Sequence, residues 1–527
     1  MSALIRELVE LQEREGWLED RALSELARRL KVPEHRLESL TTFYPHFRRS
    51  PPPEVRVEVC RDLSCELGQA RAAQRRVSKS LAEKAGVELV EISCPGRCDQ
   101  APAGVIGDVP VCLSDHAAIE QAIADPSGVA FRGWGKGYSE ADPYSQATEH
   151  YSTAPRWAKR PPAESVEALT EAGLRGMGGA AFPTGRKWAL VAEAQGPDKF
   201  VICNADESEP GTFKDREILG ALPHLVIEGM ALAAHAVGAR QGVVFIRHEY
   251  GPERRSLEEA IEAAQRAGLV GPGTGFELEV FVSPGGYILG EETALLECLE
   301  DRRGEPRNKP PYPGRVGLWG KPTLINNVET FAHATAILAK GVDWWKQLGR
   351  GSSDGHKFVS VSGDVAQPGV HLVPFGSSFA DLLEACGGMA EGEGVMAFAP
   401  GGASSRFLGP EELSVAIDFD AVAQAGSMLG SGAVVFVASG RDLQAVGLSL
   451  TRFFRNESCG KCVPCRLGTD QAVKRIEAEG GVGPALRNDL ESLSETLAQT
   501  SLCGLGQVAL APLLSLCARF PDQFGGD

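Results

Sequence analysis

The chain has 527 residues, of which 43% are hydrophobic and 23% are charged, and its formal net charge at pH 7 is −17. This length predicts several domains, and the acidic balance argues against a general nucleic-acid binder or a protein that docks on an anionic membrane, since both need a basic surface. The sequence opens with a charged amphipathic pattern instead of a secretory signal, and it has no apolar run of about 20 residues, so we expect a cytoplasmic protein.

The N-terminal part predicts a helical leader followed by a small α/β unit. Leucines at helical spacing indicate short helices up to about residue 50. A strand that starts at Val55 runs into Cys60, and a second strand, Val87 to Ile92, leads to Cys94 after a helix at about 66–85. Each strand therefore ends at a cysteine.

In the remaining chain the composition and the predicted secondary structure change three times, which predicts an α/β multidomain protein. A segment rich in Gly, Pro, Tyr and charge is expected to be a linker lying over the next domain. Alternating helix and strand patterns with Gly-rich loops follow, then short β runs, then a helical region. We predict boundaries at 1–127, 128–163, 164–350, 351–440 and 441–527.

The last domain contains four cysteines with the spacing of a [4Fe–4S] site. Cys459, Cys462 and Cys465 form a C-x2-C-x2-C run, and Cys503 follows at a distance. Three thiolates can converge from one loop while the fourth closes the cage, as in three-plus-one cluster ligation. Structural zinc is the alternative, although zinc sites usually consist of two separated pairs.

The first domain contains two cysteine pairs, one after each predicted strand. Cys60 and Cys65 form the first pair, and Cys94 and Cys98 form the second. Four thiolates from two loops are typical of a [2Fe–2S] cluster. The gaps of four and three residues are unusual for zinc, which stays the alternative.

A Gly-rich loop at 173–188 formally fits a dinucleotide-binding fingerprint. Gly176, Gly178 and Ala181 match G-x-G-x-x-A, but a Rossmann loop must follow a strand, and the preceding segment has a helical pattern. We therefore reject a Rossmann fold here. The loop can cradle a phosphate through its backbone N–H groups, or it can be a structural turn.

Three further polar loops strengthen the case for a cofactor site. The loops at 204–215, 285–294 and 321–330 carry Asn, Asp, Glu, Gly and Thr, and the first follows a short strand. Sheets of α/β domains build ligand sites at the carboxyl ends of their strands. Turns and helix caps are the alternative interpretation of each loop taken alone.

With these motifs the sequence resembles the NADH-binding module of respiratory complex I and the diaphorase subunits of NAD-linked hydrogenases and formate dehydrogenases. The N-terminal part, including its helical leader and Phe43 to Phe47, is similar to the thioredoxin-like [2Fe–2S] subunit, and the rest is similar to the large flavoprotein subunit. The resemblance implies a thioredoxin-like domain, an α/β FMN- and NADH-binding domain, a β-grasp-like insert and a C-terminal helical bundle with [4Fe–4S].

The resemblance also implies the site residues. No side chain is expected to act as a catalytic acid or base, since hydride passes between nicotinamide and flavin. NADH is expected at Phe182, Glu209, Lys309 and Tyr312, and the two clusters at the eight cysteines above. FMN is expected at Gly176, Gly178, Gly179, Lys187, Asn204, Asp206, Glu207, Ser208, Gly290, Glu291, Glu292, Asn326, Asn327 and Thr330.

Two positions depart from the family pattern. Many complex I subunits have Arg where this chain has Met177, and Gly where it has Ala181. The first difference removes a positive charge close to the expected flavin.

The fusion of both subunits in one chain, together with its Gly-rich motifs, is most similar to the β subunit of soluble NAD-dependent formate dehydrogenase. That resemblance implies a partner α subunit with molybdenum or tungsten and further iron–sulfur clusters, and neither nucleic acid nor membrane insertion. Alternatives are the diaphorase of an NAD-linked hydrogenase, a fused complex I-type NADH:quinone oxidoreductase module, and, in a different class, a non-catalytic iron–sulfur electron carrier.

Overall fold

The computed structural model describes residues 4–81, 86–107, 109–125, 133–134, 138–196 and 198–525. The end of the predicted helix at 66–85 and the predicted boundary between 127 and 128 lie outside these residues. Within them, three four-stranded sheets are arranged along the chain, and helical segments precede and follow them.

The leader consists of three helices that pack on the middle of the chain. The Tyr44 hydroxyl donates to the Arg302 carbonyl at 2.6 Å, and the Ile5 N–H donates to the Asp301 carboxylate at 3.0 Å. The leader leucines share one hydrophobic core with the central domain and the C-terminal helices. The helices are α1 (Leu4–Glu15), α2 (Asp20–Leu30) and α3 (Glu34–Thr41).

The first sheet has the strand order β2-β1-β3-β4, with β1 parallel to β2 and antiparallel to β3. The single helix predicted at 66–85 is wrong, because the described part of this segment forms two helices, and the break between them has a local cause. Gln69 adopts a left-handed φ of 60°, and a Cβ at Gly68 would lie 3.1 Å from the Pro102 nitrogen. The elements are β1 (Val55–Cys60), α4 (Leu63–Leu67), α5 (Ala70–Leu81), β2 (Val87–Ile92), β3 (Ala103–Ile106), β4 (Val109–Cys112) and α6 (His116–Ala124).

The described part of the predicted linker is fastened to the central domain through one buried carboxylate. Glu228 accepts hydrogen bonds from the Thr153 and Ala154 N–H groups, both at 2.8 Å, and from the Tyr144 hydroxyl. Short 3-10 turns at Tyr138–Glu140 and Ala147–Glu149 precede α7 (Thr153–Trp157). The next helix, α8 (Pro162–Glu171), crosses the predicted boundary at 163.

The central sheet is fully parallel, with the order β7-β6-β5-β8. Its carboxyl edge brings the ends of β5 and β8 together, because these two strands pair directly. The elements after α8 are α9 (Thr184–Glu193), β5 (Phe200–Ala205), α10 (Lys214–Ala221), α11 (Pro223–Val237), β6 (Gln241–Arg247), α12 (Gly251–Arg266), β7 (Glu277–Ser283), α13 (Glu292–Leu299), β8 (Thr323–Asn327), α14 (Val328–Lys340) and α15 (Val342–Gln347).

The third sheet is mixed, with the order β10-β9-β12-β11 and a parallel central pair β9/β12 flanked by antiparallel strands. Its residues share one hydrophobic core with the central domain. The elements are β9 (His356–Gly363), β10 (Gly369–Pro374), α16 (Phe379–Ala385), β11 (Val395–Ala399), α17 (Phe419–Gln424) and β12 (Ala433–Ala438).

The C-terminal region is helical, as the sequence predicts. Among the described residues no single helix is long and apolar enough to cross a membrane, whereas α10 and α11 together pass by length and composition but meet at 92° and are buried. The C-terminal helices are α18 (Leu443–Asn456), α19 (Val463–Glu479), α20 (Pro484–Thr500), α21 (Gly504–Val508) and α22 (Ala511–Arg519).

Candidate functional site

The N-terminal cysteines converge at one buried point. Cys60 ends β1, Cys65 lies in α4, and Cys94 and Cys98 lie in the loop after β2. All four are 1–3% exposed, and the Sγ atoms of Cys94 and Cys98 are 3.3 Å apart. Their mutual hydrogen bonds raise the pKa of Cys60 and Cys98 and, with the charge of Arg247, lower that of Cys94.

Backbone N–H groups point at three of these sulfurs. Gly96 donates to Cys94 Sγ at 3.4 Å, Ala103 donates to Cys65 Sγ at 3.3 Å, and Gly211 donates to Cys98 Sγ at 3.3 Å. Hydrogen bonds to sulfur stabilise a negatively charged thiolate. The last donor belongs to the central domain, so that domain completes the environment of the cysteines.

Arginines of the central domain also hold the loop that carries Cys94 and Cys98. Arg247 donates to the Cys94 carbonyl at 2.8 Å, and Arg216 donates to the Gly96 carbonyl at 2.6 Å. Arg97 forms a two-point ion pair with Glu253, at 2.8 and 3.2 Å, in which both side chains are almost fully buried. These contacts fix the loop against the central domain.

The C-terminal cysteines line one small cavity at the junction with the central domain. Cys459, Cys462, Cys465 and Cys503 border it together with Ile288 and Pro306 among others. Burial raises the pKa of Cys465 to about 12 and that of Cys503 to about 11. Cys462 directly precedes α19, whose positive N-terminal end favours a negative group there.

The chemistry of both donor sets fits iron–sulfur clusters. Each set offers four sulfurs within one compact site, and all thirteen cysteines are free of disulfides. Cys112, Cys203, Cys298, Cys386 and Cys517 lie outside both sets.

The Gly-rich loop lies against the end of β8. The Met177 N–H donates to the Thr330 hydroxyl at 2.9 Å, and a Cβ at Gly178 would lie 2.9 Å from the Asn327 Cβ. Gly176 closes the loop by donating to the Phe182 carbonyl at 2.9 Å. A side chain at position 178 would therefore collide with Asn327, so glycine is what lets the loop backbone pack directly against the residue that ends β8.

A second group of predicted residues meets at the end of β5. The Asn204 amide donates to the Gly290 carbonyl at 2.9 Å. The Asp206 carboxylate accepts from the Ser208 hydroxyl and, at 2.8 Å, from Ser283. Glu207 is held by three donors, namely the Asp215 N–H, the Arg216 N–H and the Tyr250 hydroxyl. Gly179 lies beside Gly430 and Ser431, in the turn that precedes β12 of the third sheet.

The predicted lysines and the remaining carboxylates lie close together. Lys309 Nζ contacts Glu291 at 2.8 Å and Glu292 at 3.3 Å, and Glu291 also caps α13. Lys187 donates to the Ile325 carbonyl at 3.1 Å, and burial lowers its pKa.

The side chain of Asn326 is buried, and its amide lies within reach of two protein groups. In the orientation that satisfies both neighbours, it bonds the Ile325 carbonyl at 3.0 Å and the Trp188 indole at 2.9 Å.

The residues expected to meet NADH differ in exposure. Phe182 and Tyr312 are 37% and 62% exposed, as surfaces for an incoming ligand would be. Glu209 accepts the Ser404 N–H at 2.7 Å. Burial raises the pKa of Glu209 to about 7, that of Glu207 to about 8 and that of Asp206 to about 6.

A buried charge network lies behind the Gly-rich loop, and no sequence motif indicated it. Glu329 contacts Lys214 at 2.9 Å and Lys357 at 2.8 Å, and Lys357 also donates to the Met177 carbonyl at 3.3 Å. Lys214 pairs in turn with Asp215 at 2.6 Å. The network thus supplies a buried cation beside Met177, the position where the family resemblance implies Arg.

Ala181, the second departure from the family pattern, has a φ of 51°. This left-handed conformation is one that glycine adopts without steric cost, which explains why glycine suits the position.

Four family models match along the chain. They are the thioredoxin-like [2Fe-2S] ferredoxin at residues 1–126, the Nuo51 FMN-binding domain at 169–336, the SLBB domain at 358–407, and the NADH-ubiquinone oxidoreductase-F iron-sulfur binding region at 445–526. An NADH-quinone oxidoreductase subunit of Rhizobium meliloti (strain 1021) is 43% identical over 373 residues, which span 69% of this chain and 88% of that relative. The chain belongs to this NADH-binding flavoprotein family.

Other relatives agree with the assignment. The corresponding NADH-quinone oxidoreductase subunit of Escherichia coli (strain K12) is 42% identical over 373 residues, covering 69% of this chain and 84% of the relative. The NADP-reducing hydrogenase subunit HndC of Solidesulfovibrio fructosivorans is 39% identical over 371 residues, covering 69% and 76%. A chain in the crystal structure of air-oxidized NAD+-reducing [NiFe]-hydrogenase superposes with a TM-score of 0.85 at 32% identity, over 98% of this chain and 92% of that one.

The predicted family and fold class are therefore confirmed, and the β-grasp-like insert corresponds to the SLBB domain. The protein is an NADH-binding electron-transfer subunit of the complex I or NAD-reducing hydrogenase type, with FMN-, [2Fe–2S]- and [4Fe–4S]-binding domains.

Proposed function

We propose that FMN lies between the Gly-rich loop and the carboxyl ends of β5 and β8. The support is the close packing of the Gly-rich loop, at Gly178, against Asn327 at the end of β8, with polar groups of Asn204 and Asp206 at the neighbouring strand end. The other FMN contacts are those that the resemblance implies at Gly176, Gly179, Lys187, Glu207, Ser208, Gly290, Glu291, Glu292, Asn326 and Thr330. NADH would enter along Phe182, Glu209, Lys309 and Tyr312.

We also propose that the N-terminal tetrad holds [2Fe–2S] and the C-terminal tetrad holds [4Fe–4S]. Bound flavin accepts hydride from NADH and exchanges electrons singly with iron–sulfur clusters. The chain's own residues bind and orient: Lys187 and Lys309 supply positive charge, and the N–H groups on Cys94, Cys65 and Cys98 stabilise negative sulfur. No proton has to move to a side chain in this scheme.

For the partner, we propose the molybdenum- or tungsten-containing α subunit of an NAD-dependent formate dehydrogenase. The support is the fused chain and its Gly-rich motifs. A [NiFe]-hydrogenase partner is the second candidate, favoured by the match over 98% of this chain to the NAD+-reducing hydrogenase. We place the chain in the cytoplasm, where thirteen free cysteines would stay reduced.

The first experiment is anaerobic NADH titration of the purified chain. We expect NADH to bleach the flavin absorbance and to reduce the clusters, whereas flavin and clusters that stay oxidised would refute electron transfer from NADH. In Cys462→Ser we expect the flavin to be reduced while electrons no longer reach an external acceptor beyond it. Unchanged transfer in that variant would contradict the [4Fe–4S] assignment.

The second experiment identifies the partner. The chain is purified from its host with its associated subunits, and formate-dependent NAD⁺ reduction is assayed with metal analysis. Activity with molybdenum or tungsten supports formate dehydrogenase. Hydrogen-dependent NAD⁺ reduction with nickel, and none with formate, would replace that proposal by the hydrogenase.

A further inference from the structure

A basic cleft opens between the thioredoxin-like domain and the C-terminal helices. It has a volume of about 770 Å³ and is lined by residues of α5 on one side and α18 on the other. The end of β1 forms its floor, including Cys60 of the N-terminal tetrad. No residue of the C-terminal tetrad is among the described residues that line it.

The charge of the cleft is opposite to that of the whole chain. Three acidic residues line it, Asp62, Glu66 and Glu91, although the chain carries a net charge of −17. Six basic residues line it, namely Arg61, Arg71, Arg75, Lys79, Arg452 and Arg455. Such a concentration of cations in a concave site attracts an anion.

Part of this positive charge is already neutralised by acids of the chain. Arg71 pairs with Glu66 at 3.2 Å, and Arg452 pairs with Glu477 at 2.7 Å. The Nε atom of Arg61 is buried and has no hydrogen-bond partner within the part of the chain that the structure describes. A buried guanidinium N–H without an acceptor is costly, and since this atom is closed to solvent an anion in the cleft would stabilise the Arg61 charge without contacting Nε.

The lining favours a small phosphorylated ligand over a polypeptide segment. Protein interfaces usually have an apolar core, but of the apolar side chains here Val59, Ala70 and Phe453 are only 1–2% exposed, and Leu89 alone is partly exposed. Five of the six cations are arginines, whose planar guanidinium matches phosphate in a two-point contact. The volume also lies within the usual range of small-molecule sites.

We propose that this cleft binds a nucleotide-sized anion that carries two or more phosphate groups. Because Cys60 forms part of the floor, the bound anion would lie beside the N-terminal tetrad. A negative charge there disfavours the addition of an electron to the centre that these cysteines hold. The ligand would therefore lower the midpoint potential of that centre and leave the C-terminal one unchanged.

The test is calorimetric titration of the intact purified chain with pyrophosphate and with ATP, at low and high salt. We expect saturable binding at one site that weakens as salt screens the charges. Arg75→Gln combined with Arg455→Gln should weaken binding at least tenfold, or about 1.4 kcal/mol. The matched control is Arg255→Gln with Arg266→Gln, two exposed arginines of α12 that should leave binding unchanged.

Three outcomes would overturn the proposal: no saturable binding, an equal loss in the control, or tighter binding of a hexaglutamate peptide than of pyrophosphate. Arg75→Lys with Arg455→Lys keeps the charge but loses the two-point guanidinium contact, so binding should fall less than in the glutamine variant, which separates a lost contact from a lost fold. The predicted potential shift, followed by electron paramagnetic resonance, rests on the proposed [2Fe–2S] assignment. Anion binding without a [2Fe–2S] signal would refute the cluster assignment, while the proposal that the cleft binds an anion would still stand.

Discussion

Replacing Glu329 by Gln should destabilise the flavin domain strongly, because this carboxylate is the shared partner of two buried lysines. Glu329, Lys214 and Lys357 all have fully buried side chains, and the carboxylate contacts both Nζ atoms within 3 Å. Burial alone would raise the pKa of Glu329, but the two lysine charges outweigh it and hold that pKa well below its ordinary value. The charged form of Glu329 is therefore strongly favoured in the folded state.

The size of the effect follows from the charges left behind. In Glu329→Gln Lys214 keeps its contact with Asp215, whereas Lys357 loses its carboxylate partner, so one buried positive charge lacks its ion pair. Removing one partner of a buried ion pair costs about 3–5 kcal/mol. Since roughly 1 kcal/mol shifts the thermal midpoint of a domain of 150–250 residues by about 2–4 °C, we expect a fall of roughly 6–20 °C.

Lys357→Met should cost less than Glu329→Gln. Burial lowers the pKa of Lys357 to about 8, so its charged form is less favoured in the folded chain than in the unfolded one. The unfolded chain therefore binds more protons between about pH 8 and 10.5, and this lysine makes stability rise with pH in that window. In Lys357→Met that rise should be absent.

The double variant provides the decisive comparison. Glu329→Gln with Lys357→Met leaves Lys214 paired with Asp215 and restores the charge balance. We expect it to unfold at a higher temperature than Glu329→Gln alone, as measured by calorimetry of the purified proteins. A double variant less stable than Glu329→Gln, with additive costs, would show that the lysines and the carboxylate are not coupled.

Two further predictions concern NADH binding and the cluster loop. Above about pH 7 Glu209 becomes charged and repels the negatively charged NADH, so NADH affinity should fall between pH 6 and 8. In a fluorescence titration Glu209→Gln should flatten this pH dependence. An unchanged pH profile in that variant would remove Glu209 from the site. Arg97→Ala leaves Glu253 buried and unpaired, so it should cost about 3–5 kcal/mol and lower the iron content, whereas Arg21→Ala, at an exposed pair, should change stability by at most about 1 kcal/mol.

Much of the site was predictable because its signals are local. The short spacing of the cysteines indicates both sets, and an alternation of apolar and polar residues indicates the strands that lead to Cys60 and Cys94. The rejection of a Rossmann loop also depended only on the segment before Gly176, which the structure shows to be α8. Local spacing indicates such sites because residues that are close in the sequence provide both the ligand groups and the turn that brings these groups together.

The buried charge network was not predictable, because its residues are far apart in the sequence and no local spacing indicates their contacts. Lys357 lies in β9 without any motif around it, and its partners Met177 and Glu329 belong to other domains or elements. The leader shows a similar limit, since its leucine pattern indicates a buried face but not which domain covers it. Only the tertiary arrangement decides these contacts.

One carboxylate joins the two cysteine sets to the flavin domain. Glu457, two residues before Cys459, accepts the Ser93 hydroxyl at 2.5 Å through one oxygen and the Tyr287 N–H at 2.9 Å through the other. Ser93 directly precedes Cys94, and Tyr287 belongs to the central domain. A single group that bonds both cysteine loops and the central domain therefore fixes the separation of the two cysteine sets, even though the three domains have separate sheets and helices.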